Sequence, residues 1–446
     1  MTDEIQELQA NRHPKGLYVL FSTEMWERFG FYTMLAMFTL YLKDSHGGFG
    51  WSTARAVSLY STYIMFLYAT PLLGGIIADR FLGYRNSVTV GGVFLTLGYL
   101  CLTVKNETLL YVALLLIVIG NGFFKPNVST MLGNMYPEGS PLKDSGYNIF
   151  YVGINVGALL APIAAELLKA RYGFNIAFGA AAGGMLISLL VFCTNRNATR
   201  SWEQLVGDMG ERYRDHVLTK AYHPSVRAEG TAGDLPIDRV PEGKRIFALL
   251  VIFMVVIVFW MIFHQNGSTL TIWADDNTDW KVSGIISNAI NPFWIITLTF
   301  PLLWFWKFLA GRGKEPGTVM KIFFGMICTF LSFLIMYFAA RAGGDAGRVS
   351  PLWLIGSYMV ISLGELMLSP MGLSLVSKAA PKRLRGLMMG CWFLATAVGN
   401  KLTAIGQYWD AWPHSTFFLV LSMLALVTAI FLLIIMKPLQ KALPGV

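Results

Sequence analysis

The sequence predicts an all-α membrane protein of twelve transmembrane helices in two six-helix bundles. Three observations carry that expectation. Of 446 residues, 55% are hydrophobic and 14% charged, where soluble domains hold about 25% charged residues. Apolar runs of spanning length, roughly 20 residues, recur twelve times, six before and six after one polar stretch. The basic residues are segregated between alternate loops, which is how the two sides of a membrane protein differ. The same composition excludes a disordered chain and a soluble globular enzyme.

The first six runs lie at 17–42, 52–78, 86–104, 108–134, 145–168 and 174–194. The first contains Glu24, Glu27 and Arg28, which the core of a secretory signal would not tolerate. The fourth carries Lys125 and Pro126, and the fifth ends in Glu166 and Lys169, expected as interfacial anchors. Residues 1–194 make the first expected domain and 195–243 a cytoplasmic linker. In the linker Trp202, Leu205, Val206, Met209 and Tyr213 have helical spacing. That segment either lies along the membrane surface or is a solvated tether.

The other six runs lie at 246–273, 282–309, 317–341, 350–377, 386–409 and 414–436, in an expected domain 244–446. His264 falls near the outer end of the seventh run, Glu365 and Pro370 in the tenth, and Lys401, with no evident partner, in the eleventh. Pro126 and Pro137 are eleven residues apart, as are Pro370 and Pro381. This trace of an internal repeat places the fourth and tenth spans at equivalent positions of the two halves.

With the N-terminus inside, cytoplasmic segments hold 24 Lys and Arg and outer segments 8, while Arg28, Lys125 and Lys401 fall within the membrane. Both termini are therefore expected in the cytoplasm, and the chain in the plasma (inner) membrane. The net charge of +9 follows from this bias, and no nucleic-acid motif accompanies it. The four cysteines lie in apolar runs without disulfide or zinc spacing. No nucleophile–base pair, metal cluster or phosphate loop is present. The expectation is a monomer in the bilayer, with no enzyme activity, cofactor, metal or nucleic-acid partner.

An ionisable residue at mid-membrane is disfavoured by at least ~2.5–3.5 kcal/mol, so it faces a cavity or a partner. Glu24 and Arg28 are one helical turn apart, Glu27 shares their side, and Tyr32 continues the stripe. They form either a functional site or a structural cluster. At 1.5 Å per residue, Glu27 is ~15 Å, Lys125 ~13 Å and Glu365 ~18 Å from the inner ends of their helices. Lys125 and Glu365, on repeat-equivalent helices, make either a positive and a negative wall or a structural ion pair. Two such walls suit a ligand with one positive and one negative end, such as a zwitterion of peptide size. Tyr63, Tyr68, Trp260 and Trp392 either line a pocket or pack.

Several segments resemble a known family. GGIIADRFLG, from Gly74 to Gly83, resembles the loop signature of the major facilitator superfamily. EMWERFGFY, from Glu24 to Tyr32, resembles the ExxERFxYY motif of the proton-dependent oligopeptide transporters. FYVGINVGALLAPI, FKPNVST and GELMLSPMGLS are similar to that family's fifth, fourth and tenth helices. The resemblance implies the major-facilitator fold and import of di- and tripeptides with protons by alternating access. It implies that Glu24 and Glu27, with Arg28 between them, take part in proton coupling. Arg28 and Lys125 would meet the peptide carboxylate, and Asn155, Asn291 and Glu365 its amino terminus. Tyr32, Tyr63, Trp260 and Trp392 would shape side-chain pockets.

The sequence also departs from that family. Phe31 replaces the first Tyr of the motif, and the linker is expected to hold no pair of extra helices. Many members close the outer side with an ion pair. Its two positions are Leu35 and His264 here, so the gate is expected to rest on a hydrogen bond of His264 to the first or second helix, or on its packing. Transport of another anionic or zwitterionic solute, a non-transporting receptor and a channel stay as alternatives.

Overall fold

The computed structural model describes residues 12–136, 142–207, 237, 240–381 and 384–444. Among the described residues, twelve helices of 18 residues or more follow the predicted runs. The first six are α1 (Lys15–Lys43), α2 (Thr53–Ile77), α3 (Tyr84–Cys101), α4 (Glu107–Asn134), α5 (Leu142–Tyr172) and α6 (Phe174–Thr194). The rest are α7 (Glu242–Phe263), α8 (Ile290–Ala310), α9 (Thr318–Ala342), α10 (Pro351–Ala379), α11 (Arg385–Leu402) and α12 (His414–Ile434). Apart from an isolated bridge between Thr278 and Val349, the described residues are helices, turns and loops. Nine helical segments among them are long and apolar enough to cross a membrane. The long helices outside that group are α1, α3 and α11. Helix α1 carries the Glu24–Arg28 charges, and α3 and α11 are only 18 residues each.

Local chemistry sets the helix ends. Asn106 caps α4, its side chain accepting from Leu109 N at 3.0 Å, and Ser350 caps α10 ahead of Pro351. Helix α1 stops at a turn in which Asp44 Oδ1 accepts from His46 N and Gly47 N. Burial pushes the Asp44 carboxyl up, but the N–H groups of Gly47, His46 and Gly48 outweigh it and hold it below the ordinary value. Large apolar side chains point outward, Phe300 71% and Ile434 73% exposed, which in lipid is the favourable side.

The chain divides into two compact units. The first is Met1–Thr33, Thr70–Ala161 and Phe178–Gly233; the second is Met34–Ala69, Pro162–Ala177 and Asp234–Val446. Helices α1, α2, α5 and α6 therefore each pass from one unit to the other. In the first unit α2 and α4 approach backbone to backbone. A Cβ on Gly74 would stand 1.9 Å from the Gly122 carbonyl oxygen, so only glycine fits there.

Three expectations change. The seventh run is not one helix: α7 gives way to a 3-10 turn, His264–Gly267, and a second helix, Thr269–Asp276. Glu166 is a buried cap rather than an interfacial anchor, its carboxylate accepting from Ser283 N at 2.8 Å and from Ser283 Oγ. In the linker, Trp202 and Leu205 sit in a short helix, Trp202–Gly207, with Leu205 3% exposed. Arg85 of α3 donates to Thr199 O and Gln204 Oε1, so this part docks on the first unit. Met209, Tyr213 and Pro137 lie outside the described residues, as does most of the linker, and nothing is described of the Val206 and Pro370 side chains.

Candidate functional site

The first unit holds a charged cluster on α1. Arg28 donates Nε to Glu27 Oε2 at 2.5 Å and Nη2 to Glu27 Oε1 at 2.7 Å, a two-pronged pair. Glu24 Oε1 stands 3.3 Å from Arg28 Nε. All three residues are buried, Glu27 at 0% exposure, and the guanidinium also lies 4.7 Å from the Phe31 ring centre. The two carboxylates differ. Glu27 has both oxygens on Arg28, whereas Glu24 Oε2 has no hydrogen-bond partner among the described residues. Lys125 of α4 interacts electrostatically with Glu24, Glu27 and Arg28, and Tyr32 with Arg28. The predicted stripe and Lys125 are thus brought together, two negative charges against two positive. Asn155 of α5, buried in the same unit, donates Nδ2 to Tyr151 O at 2.9 Å, which leaves its Oδ1 as an acceptor.

The second unit holds the predicted acid of α10. Glu365 Oε2 accepts from Asn291 Nδ2 at 3.1 Å, and the same nitrogen donates to Ser362 Oγ at 2.9 Å. Trp392 is buried, edge-on to Phe253 at 6.1 Å. A Cβ on Gly372 would fall 1.8 Å from Trp392 Cη2, so the glycine of GELMLSPMGLS makes room for that indole. Trp260 is buried and stacks on His264, ring centres 5.2 Å apart. Tyr63 is buried against Phe38 at 5.7 Å.

The break after α7 lies against parts of α1 and α2 that belong to the same unit. Thr39 Oγ1 donates to Gly267 O at 2.7 Å, and Tyr60 Oη to His264 O at 3.4 Å. The His264 ring meets Tyr68 edge-on at 5.7 Å. Gln265 stabilises the break from within, donating Nε2 to Met261 O and Thr403 O and accepting from Thr269 Oγ1 at 2.7 Å. Leu35 is buried in this unit. Lys401, without a partner on sequence grounds, donates Nζ to Thr62 Oγ1 of α2 at 2.6 Å. Sequence reasoning missed Ser362, Thr62 and Gln265. The available signals were Ser362 standing one helical turn before Glu365 and Gln265 following His264 in the polar stretch HQNGST.

The four cysteines are free thiols. Among the described residues no group of three His, Cys, Asp or Glu could hold a metal ion.

Comparison with known proteins gives three kinds of match. The model of the POT family matches residues 85–203 and 235–415. An uncharacterised transporter of Bacillus subtilis, YclF, is 32% identical over 97% of this chain and 96% of its own length. A di-/tripeptide transporter of Lactococcus lactis subsp. lactis is 30% identical, covering 97% of each chain. Among solved structures, a mutant of the peptide transporter POT in complex with alafosfalin superposes with a TM-score of 0.83. It is 30% identical and covers 97% of this chain and 96% of its own.

Proposed function

Because this chain belongs to the POT family, we propose that it imports di- and tripeptides with protons, by alternating access, across the plasma membrane. The observation that carries the reading is the buried Glu24–Glu27–Arg28 cluster of α1 with Lys125 in electrostatic reach. Glu24 can take a proton on its unpaired oxygen at the cost only of its single contact with Arg28, while the two-pronged Arg28–Glu27 pair stays intact. That favours Glu24 over Glu27 as the group that loads and unloads. The names of the Lactococcus relative and of the alafosfalin complex support peptides as the cargo.

In this reading Arg28 and Lys125 meet the peptide carboxylate. Asn155, Asn291 and Glu365 meet its amino group. Tyr32, Tyr63, Trp260 and Trp392 shape the side-chain pockets, and Leu35 and His264 belong to the outer gate. Residues 1–194 and 244–446 act as the two moving halves, the protein works as a monomer with both termini inside, and it catalyses no covalent chemistry. The test is uptake of labelled dialanine into proteoliposomes with and without an inward proton gradient. Accumulation only with the gradient is expected. Uptake that is absent, or equal in the two conditions, overturns the proposal.

A further inference from the structure

Glu365 is held by Asn291, and Asn291 is held in turn by Ser362. An amide nitrogen carries two hydrogens. Asn291 Nδ2 donates one to Glu365 Oε2 at 3.1 Å and the other to Ser362 Oγ at 2.9 Å, so both are committed. Among the described residues no donor reaches Asn291 Oδ1 or Glu365 Oε1. Ser362 itself is fully buried, 0% exposed, while Asn291 and Glu365 are half-buried. Of the helices packed on α10, α8 brings the neutral Asn291 to Glu365, and α9 lays Cys328 against Gly364. Among the described residues Glu365 makes no salt bridge.

We infer that Ser362 is a positioning residue for the peptide amino group, fixing the Asn291 amide so that Oδ1 is presented beside the free oxygen of Glu365. The inference rests on the reading that Glu365 and Asn291 meet that amino group. An ionised carboxylate only accepts hydrogen bonds, so it demands the N–H side of the amide. Ser362 takes the second hydrogen, and the amide is then anchored at two points. The outcome is two open acceptors, one of them charged, which suits an ammonium with three donors. When a proton from the bath neutralises Glu365, the carboxyl becomes a donor. The amide is then free to turn over, with the Ser362 hydroxyl rotating from acceptor to donor. The ammonium would now face N–H groups. Protonation of Glu365 and capture of the amine thereby exclude each other.

The test compares inhibition of dialanine uptake by free and by N-acetylated dialanine in proteoliposomes. In Ser362→Ala the preference for the free peptide is expected to fall about fivefold, the size of one neutral hydrogen bond, with affinity for the acetylated peptide unchanged. Ser362→Thr, which keeps the hydroxyl, should restore the preference. In wild type the preference should shrink as the pH falls, and in Ser362→Ala that dependence should flatten. If Asn291→Ala lowers the preference and Ser362→Ala does not, Ser362 positions nothing although the amine site stands. If Asn291→Ala, Glu365→Gln and Ser362→Ala all leave it unchanged, the amine is bound elsewhere and the inference falls with the site.

Discussion

Two carboxylates about one helical turn apart, Glu24 and Glu27, share Arg28 but hold it differently, and this is where chemistry enters the protein. Glu27 gives both oxygens to Arg28, and Glu24 keeps Oε2 unpaired. Neutralising Glu27 therefore breaks a two-pronged pair and leaves a buried guanidinium short of acceptors, a disruption with a large penalty. Neutralising Glu24 removes a proton acceptor at smaller structural expense. Glu24→Gln is expected to abolish gradient-driven uptake while peptide counterflow survives; Glu27→Gln is expected to depress both. Undiminished driven uptake in both variants would sink the coupling role. Lys125 offers a second test. If it holds the peptide carboxylate, C-terminal amidation should weaken binding about ten- to a hundredfold in wild type, the worth of a charged hydrogen bond. In Lys125→Ala amidation should have little further effect. Equal losses in both proteins would assign the carboxylate to another group.

At the scale of elements, the seventh helix matters most. Its break at His264–Gly267 accepts hydrogen bonds from α1 through Thr39 and from α2 through Tyr60. The His264 ring stacks on Trp260 and meets Tyr68. Aromatic faces attract a cation, and free imidazole titrates near ~6.5. A charged imidazolium would favour this packed arrangement over a neutral ring. His264→Gln, which keeps hydrogen bonding but cannot titrate, is expected to flatten the pH profile of uptake between about pH 5 and 8. A profile superimposable on wild type leaves the ring as packing. Lys401 ties α11 to α2 through Thr62. The ammonium is half-buried, so the bond is expected to contribute about 1 kcal/mol. Lys401→Met and Thr62→Val should each lower the melting temperature in detergent, and the double variant should lie no lower than the worse single one. Additive losses would show that the two side chains do not work as a pair.

For the whole molecule, the distribution of Lys and Arg, 24 in the segments expected inside against 8 in those expected outside, predicts the orientation. A biotin-acceptor tag after Val446 should be reached only from the cytoplasmic side in right-side-out vesicles. Labelling from outside would invert the topology and every role assigned to a gate. The division into compact units adds a different constraint. Helices α1, α2, α5 and α6 each contribute one part to the first unit and the other part to the second. A substitution early in α2 is therefore felt by the helices of the second unit, which its place in the sequence does not suggest.

The sequence by itself determined where the helices run, because spanning a membrane demands about 20 apolar residues in a row and composition is local. Runs 108–134 and 174–194 match α4 and α6 within a residue at each end. It also picked out Glu24, Glu27, Arg28, Lys125 and Glu365, since charge among apolar neighbours is legible without a fold. Only the tertiary structure decided who meets whom. Lys401 finds Thr62 across 339 positions, and Thr39 finds Gly267 across 228. No spacing rule spans such separations. The break in α7 left a partial trace, the polar stretch His264–Thr269 with Gly267 inside it, but the apolar residues on both sides let the run read as one helix. Part of what stabilises the break comes from α1, α2 and the Thr403 carbonyl, partners that chain folding alone brings within hydrogen-bond reach.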